Sequence, residues 1–349
     1  MKKIFILILI MAGLSACENQ ELEWEDFEIK AVYFPFQTPI RTLSLGEDRI
    51  DNSLDKKLMF DIGVTIGGMY ENNQEWTVDY VLDNSLLEDS VFGSGKVPLI
   101  QLPSSYYTLN PTNTIIIPNG SFSGRVRVEL SDQFLEDTLA LTGQYVIPLR
   151  ITNTSADSIL TGTPAVANPD RRIVGNWVSR ESPKDWVLFG IKYINAYEGT
   201  YLQRGRVIAY SGINPVDTIV YHAIHVERDK VVSLKTINKT KTVTNFIGHQ
   251  SSETGEYAME LEFANMWGTP GGQVNIRPRN GALYAVTGTG QYFDKANSDE
   301  SWIGLTWQSM HLSYSYDDAE YTYEVTDTLV FRDRDLRMEQ HSLSIIKEE

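Results

Sequence analysis

Cysteine is almost missing from this chain: one residue, Cys17, in 349. A single thiol excludes a disulfide framework and any metal site built from several cysteines. Basic residues are short too, 30 Lys and Arg against 46 Asp and Glu, for a formal charge of −16. That balance argues against nucleic acid, whose phosphates need cationic partners. Of five histidines only His222 and His225 lie close together. Residues three apart on a strand point to opposite faces, so this pair does not converge on zinc. Apart from Ile4 to Leu14 there is no long apolar run, and no long stretch shows capped 3.6-residue periodicity. A Gly-x-Ser-x-Gly elbow is absent. Gly67-Gly68 and Gly271-Gly272 lack the fuller glycine pattern that cradles phosphate. What is present, 42% hydrophobic and 22% charged residues, suffices for real cores and excludes a disordered or fibrous chain. The length suits two domains.

The N-terminus carries an address. Lys2 and Lys3 precede the apolar run Ile4 to Leu14, which is too short for a permanent membrane span and reads as a signal peptide, residues 1–16. Leu14-Ser15-Ala16-Cys17 resembles the lipobox of bacterial lipoproteins, which implies lipidation of Cys17. One acyl chain anchors only marginally, at about 0.8 kcal/mol per buried CH₂, and bacterial lipoproteins carry up to three. Residues 17–27 form an acidic tether containing Glu18, Glu21, Glu23, Glu25 and Asp26, repelled by an anionic membrane surface. The tether is similar to the export signal of Bacteroidetes surface lipoproteins. The expected location is therefore the outer membrane, lipid-anchored and facing the exterior.

Short β-rich runs follow, separated by Gly, Pro, Asn and Asp. Arg125-Val126-Arg127-Val128-Glu129-Leu130 alternates strictly, as a half-buried strand does. Leu86 to Phe92 and Ser131 to Leu141 are the short-helix candidates. Residues 28–152 are read as an Ig-like antiparallel sandwich. Residues 153–171, polar and then proline-bearing, are read as a linker. Residues 172–345 hold longer, more aromatic strands: Trp186 to Tyr193, Thr218 to Glu227, Trp302 to Tyr316 and Tyr321 to Arg332 among them. The Tyr314-Ser315-Tyr316 and Tyr321-Thr322-Tyr323 runs flank Asp317 to Glu320, a long-hairpin signal. The fold class is all-β, with the second domain a closed antiparallel barrel, lipocalin-like, in preference to a sandwich.

Residues 33–72 carry a family likeness: Tyr33-Phe34-Pro35-Phe36-Gln37-Thr38-Pro39-Ile40-Arg41-Thr42, then Gly46-Glu47-Asp48, Asp51-Asn52-Ser53-Leu54-Asp55 and Ile66-Gly67-Gly68-Met69-Tyr70-Glu71-Asn72. This resembles the N-terminal domain of unknown function in Bacteroidetes lipoproteins of polysaccharide-utilisation loci, which in some relatives precedes glycoside-hydrolase modules. Lys192 to Tyr201 and Arg204-Gly205 resemble its common β-rich C-terminal partner. The resemblance implies glycan handling at the outer membrane, beside a transporter or enzyme of the same locus, and supplies no catalytic residues.

A glycosidase needs two carboxylates, about 5–5.5 Å apart for retention or about 6.5–9.5 Å for inversion. No acidic pair here stands in a catalytic context. Asp48, Asp51, Asn52 and Asp55 gather hard oxygen ligands of the kind calcium takes, but turn formation is the preferred reading. Seven Trp and 18 Tyr are the more useful signal. Sugar rings present C–H faces that stack on aromatic planes, which supply contact area at little conformational cost. Trp267 in a Gly-Pro loop, Trp186 at a strand start, and Tyr197 and Tyr201 about Glu198-Gly199 are the candidate glycan-binding residues. Trp302 and Trp307, five apart, are expected on opposite strand faces. Asp-Ser/Thr-aliphatic triplets, including Asp157-Ser158-Ile159, resemble the Bacteroidetes O-glycosylation acceptor, and Ser158 in the linker is its best candidate. The leading function is a surface lipoprotein that binds or presents glycan. The alternatives are a glycoside hydrolase and a structural subunit of an outer-membrane complex.

Overall fold

A computed structural model of the chain describes residues 26–48, 50–264 and 272–346. Cys17, the tether up to Glu25, and Trp267 lie outside the described residues.

The first module is a sandwich. Its strands are β1 (Ala31–Tyr33), β2 (Pro39–Ser44), β3 (Met59–Gly67), β4 (Trp76–Leu82), β5 (Ser90–Phe92), β6 (Tyr107–Asn110), β7 (Thr114–Ile117), β8 (Ser123–Leu130), β9 (Tyr145–Thr154), β10 (Ser158–Ile159) and β11 (Trp186–Ile194). One sheet runs β10-β1-β3-β8-β6. The other contains β2-β11-β9-β4-β7. Alternation builds both. Along β3, Phe60, Ile62, Val64 and Ile66 are buried between half-exposed residues, and β8 turns Val126, Val128 and Leu130 inward. These meet Leu43, Ile115, Ile147 and Val187 of the facing sheet in one core. Each such side chain contributes roughly 1.5–3 kcal/mol by leaving water.

Two boundaries differ from the sequence expectation. Residues 186–194 do not open the second domain. They form β11, which is parallel to β2, with Gly190 opposite Ile40, and antiparallel to β9, with Val146 opposite Gly190. The reason is two-sided burial: Val187, Ile191 and Tyr193 face the main core, while Trp186 and Leu188 face a second cluster with Leu86, Leu99 and Val146. A strand covered on both faces reads as a continuous apolar run and loses its alternation signal. The stretch 153–171 is likewise not a free linker, because β10 within it pairs in parallel with β1.

The second module is a closed barrel. Its strands are β12 (Gly199–Ser211), β13 (Asn214–Tyr221), β14 (Lys230–Asn238), β15 (Lys241–Thr244), β16 (Met259–Phe263), β17 (Gly272–Pro278), β18 (Thr287–Phe293), β19 (Ser309–Asp317) and β20 (Thr322–Asp333). Eight antiparallel strands run β12-β14-β15-β16-β17-β18-β19-β20, and β20 pairs back onto β12 from Asp333–Thr200 to Thr322–Tyr210. Closure leaves no open edge in the ring. β13 sits outside it, folded back on the upper half of β12.

After the barrel the chain returns to the sandwich. β21 (Glu339–Gln340) pairs with β2, and β22 (Leu343–Ile345) pairs with β5. His341 between them is buried, its Nε2 2.7 Å from the Gly143 carbonyl. Gly190 makes room for it: a Cβ there would lie 2.4 Å from His341 Cε1. The buried Arg334 guanidinium ties the barrel base to the sandwich through the carbonyls of Glu47 and Glu198.

Candidate functional site

The barrel end far from the sandwich is open. There the β19–β20 hairpin turns through Asp318, whose carboxylate accepts the backbone N–H groups of Glu320 and Tyr321 at 2.7 Å and the Tyr323 hydroxyl at 2.7 Å. Those bonds, the Tyr321 N–H foremost, hold the Asp318 carboxyl below its usual range. The same turn fixes a row of rings. Tyr316 and Tyr323 face each other across the hairpin and stack with centroids 4.8 Å apart and planes 14° apart. Tyr284 leans on Tyr316 at 5.0 Å, Tyr257 continues from Tyr284 at 6.4 Å, and Tyr321 meets Tyr323 edge-on at 6.4 Å.

This ribbon walls a cleft of about 420 Å³. Val207 and Ala209 of β12, Ala209 paired with Tyr323 across the strands, continue the lining into Val216, Asp217 and Ile219 of β13. His249 and Gln250, from a small hairpin, complete the lining. His249 Nδ1 and Gln250 Oε1 are buried atoms with no protein hydrogen-bond partner. Burial, aided by the charge of Lys230, lowers the His249 pKa and favours the neutral ring.

One layer below, a polar cluster interrupts the apolar barrel core. Asp327 is 2% exposed. Its carboxylate accepts the Tyr221 hydroxyl at 2.5 Å, the Tyr314 hydroxyl at 2.6 Å and Gln203 Nε2 at 3.0 Å. Tyr314 also accepts the Gly248 N–H at 2.7 Å, and Gln203 donates to the Gly248 carbonyl at 2.7 Å. The network therefore holds the segment that presents His249 and Gln250. Burial raises the Asp327 pKa against these three donors. Gly205 admits the network: a Cβ there would lie 2.7 Å from both Asp327 Oδ1 and the Tyr221 hydroxyl.

Three of the four expected glycan-binding residues are placed elsewhere by the fold. Trp186 is 4% exposed and packs in the second sandwich cluster. Tyr197 is 3% exposed and stacks on Phe263 at 3.5 Å, and Tyr201 is 1% exposed with its hydroxyl on the Tyr197 carbonyl at 2.7 Å. Rings sealed in a core have no face for a dissolved sugar. Their surroundings are apolar because strand positions alternate inward there. Trp302 and Trp307 are not on opposite faces either. Ile303 and Gly304, at φ 53° and 70°, reverse the chain between them, so the indoles stack at 5.2 Å. The strand expected over Thr218 to Glu227 ends at Tyr221.

Ser158 lies half-buried in β10 instead of on an exposed linker. In the triplet Asp137-Thr138-Leu139 the aspartate caps a short helical turn by accepting the Leu139 N–H. The candidate calcium ligands serve the protein itself. Asp55 takes the Arg41 guanidinium and the Ser44 N–H, Asn52 donates to the Ser44 and Gly46 carbonyls, and Asp51 accepts the Ser53 N–H. Among the described residues no group of three or more His, Cys, Asp or Glu is arranged to hold a metal.

A second cleft, of about 460 Å³, opens at the sandwich corner. Phe34, Phe36, Ile62 and Phe189 meet Leu336 and Met338 there, with Arg41, Arg337 and Glu339 at its edge. It is apolar where the barrel mouth is mixed.

Two domain families are recognised. An N-terminal domain model matches residues 26–158, and a domain of unknown function, DUF5627, matches residues 196–335. A crystal structure of a Bacteroides ovatus protein of unknown function is 31% identical, with a TM-score of 0.79 over 92% of this chain and 100% of that one. The chain belongs to this two-domain DUF5627 family. The DUF5627 range coincides with the barrel, while β11 falls outside both matched ranges. A Bacteroides thetaiotaomicron auxiliary nutrient binding protein is matched at 14% identity and a TM-score of 0.39, over 86% of this chain and 95% of that one. No curated protein matches the chain.

Proposed function

We propose that the barrel mouth binds a segment of carbohydrate, and that the protein captures glycan without cleaving it. The tyrosine ribbon carries this reading. Tyr284, Tyr316, Tyr321 and Tyr323 line one cleft, the last three held by the hairpin and Tyr284 packed on Tyr316, an arrangement that needs no ligand to form. Preorganised planes of this kind suit the apolar faces of sugars, and the polar lining suits hydroxyls. Of the two carboxylates that line the cleft, Asp217 and Asp318, the second favours binding over hydrolysis. Asp318 is engaged by three donors with its pKa lowered, the opposite of a general acid. Asp327, the raised carboxyl nearby, is sealed beneath Tyr221 and Tyr314. The lipobox-like Leu14 to Cys17 and the acidic tether support display from an outer-membrane anchor, where captured glycan would pass to a transporter or enzyme.

Native gels containing single polysaccharides test the reading. At least one polymer should retard the lipid-free chain, and Tyr284→Ala should sharply reduce the retardation while the unfolding midpoint holds. Equal retardation of the variant would remove the ribbon from the site. Reducing ends released from the retarding polymer would favour hydrolysis.

A structural role in a complex is the second reading, favoured by the sandwich cleft. Phe36, Ile50 and Met338 on its wall are 44%, 67% and 67% exposed, more apolar surface than a solvated edge needs.

A further inference from the structure

We propose that the barrel mouth selects sugars bearing a free amine, accepts neutral sugars less well, and excludes uronic and sulfated ones. The inference rests on the carbohydrate reading above and concerns the charge and hydrogen-bonding sense of the ligand.

The formal charges on the lining have one sign. Asp217 and Asp318 face the cleft, and no Lys or Arg lines it among the described residues. Lys230, whose Nζ donates to the His249 carbonyl at 2.7 Å, is not part of the lining. His249 is pushed toward its neutral form by burial, so it does not offset the two carboxylates near neutral pH. A ligand carboxylate or sulfate would enter against both charges, a repulsion that salt screens in part.

The polar atoms give the same sense. Two of the cleft's four tyrosine hydroxyls are committed: Tyr323 donates to Asp318 and Tyr321 donates to Glu320. Gln250 Oε1 is a buried acceptor with no donor. Asp217 uses one oxygen on the Thr218 N–H and leaves the other. Both acceptors can take donors from a ligand, and the buried Gln250 Oε1 gains most from one. A hydroxyl supplies one, and an ammonium supplies up to three together with the complementary charge. A uronate adds oxygens that only accept.

The test is a glycan array carrying neutral, free-hexosamine, N-acetylated, uronic and sulfated oligosaccharides of matched length, probed with the lipid-free chain. Binding should concentrate on free-amine glycans, with neutral ones behind and acidic ones absent. Asp217→Asn keeps the size and removes one exposed charge. It should lower the amine-to-neutral affinity ratio about two- to fivefold, the range of an exposed ion pair. Raising the salt should shrink the same ratio in the wild-type protein. Uronic or sulfated glycans binding as well as neutral ones would overturn the selectivity while leaving the carbohydrate reading intact. An Asp217→Asn ratio equal to wild type would also contradict it. No binding across the array would overturn both.

Discussion

The sandwich and the barrel both close on apolar cores, but the barrel adds a polar layer beneath its mouth. In the sandwich, Leu43, Ile62, Ile115, Val126 and Ile147 from two facing sheets close the core, all fully buried and aliphatic. In the barrel, the layer below the open mouth holds Gln203, Tyr221, Tyr314 and Asp327, all hydrogen-bonded. An apolar core needs only shape, whereas a buried carboxylate needs every donor in place. The polar layer fixes the Gly248 backbone and with it the lining of the mouth. The two clefts show the same division: the sandwich corner is apolar, and the barrel mouth combines rings with hydrogen-bonding atoms.

The sharpest way to break this contrast is to make the barrel interior resemble the sandwich. Asp327→Leu conserves bulk but strands three buried donors. It should destabilise the protein by about 3–5 kcal/mol in urea titration, against about 0.5–1.5 kcal/mol for Ile62→Val in the sandwich. A leucine tolerated at position 327 would show the network to be dispensable. Gly205→Ala comes next. Its Cβ would lie 2.3 Å from the Thr326 carbonyl oxygen, on the strand that closes the barrel. A loss of about 1–3 kcal/mol is expected, read as a lower thermal midpoint.

Tyr284→Ala should act on binding alone, weakening a retained oligosaccharide about tenfold by calorimetry with the fold unchanged. Phe36→Ser, in the other cleft, should leave that affinity as it is. The smallest effect is one of pH. Burial lowers the His341 pKa, so its unfolded form takes up a proton more readily than its folded form. The stability it supports is complete above the unfolded pKa of about 6.5 and is lost progressively as the pH falls from there through the lower folded value. His341→Gln keeps a donor toward Gly143 and should flatten part of the fall in thermal midpoint between pH 7.5 and 5.5. An unchanged slope would place the acid sensitivity elsewhere. Asp327 works in the other sense: its raised pKa favours the folded state at low pH, and that contribution declines as the pH rises through the folded value.

Strand alternation made most of the fold legible. β3 and β8 show it cleanly, and the Asp317 to Glu320 turn lies where the polar interruption puts it. β11 was not legible as part of the sandwich, because both its faces are buried and its apolar run carries no sidedness. The site was less legible than the fold. Trp186, Tyr197 and Tyr201 drew attention by sitting near turns, but local sequence does not say which way a strand-end ring points. The rings that line the mouth were in view as a hairpin signal. Tyr316 and Tyr323 stand symmetrically about the turn, which makes them cross-strand partners. Read for facing rings, that symmetry points to the ribbon. His249, Gln250 and Tyr284 reach the cleft only through barrel closure, a long-range fact that local pattern does not hold.

Hydrogen exchange with the best-bound oligosaccharide of the array tests the central claim most directly, because it compares both clefts in one sample. Binding at the barrel mouth predicts slowed exchange at residues 246–251 and 316–323, with Phe34 to Pro39 and Leu336 to Glu339 unchanged. Protection confined to the sandwich segments, with the tyrosine hairpin exchanging as in the free protein, would contradict it.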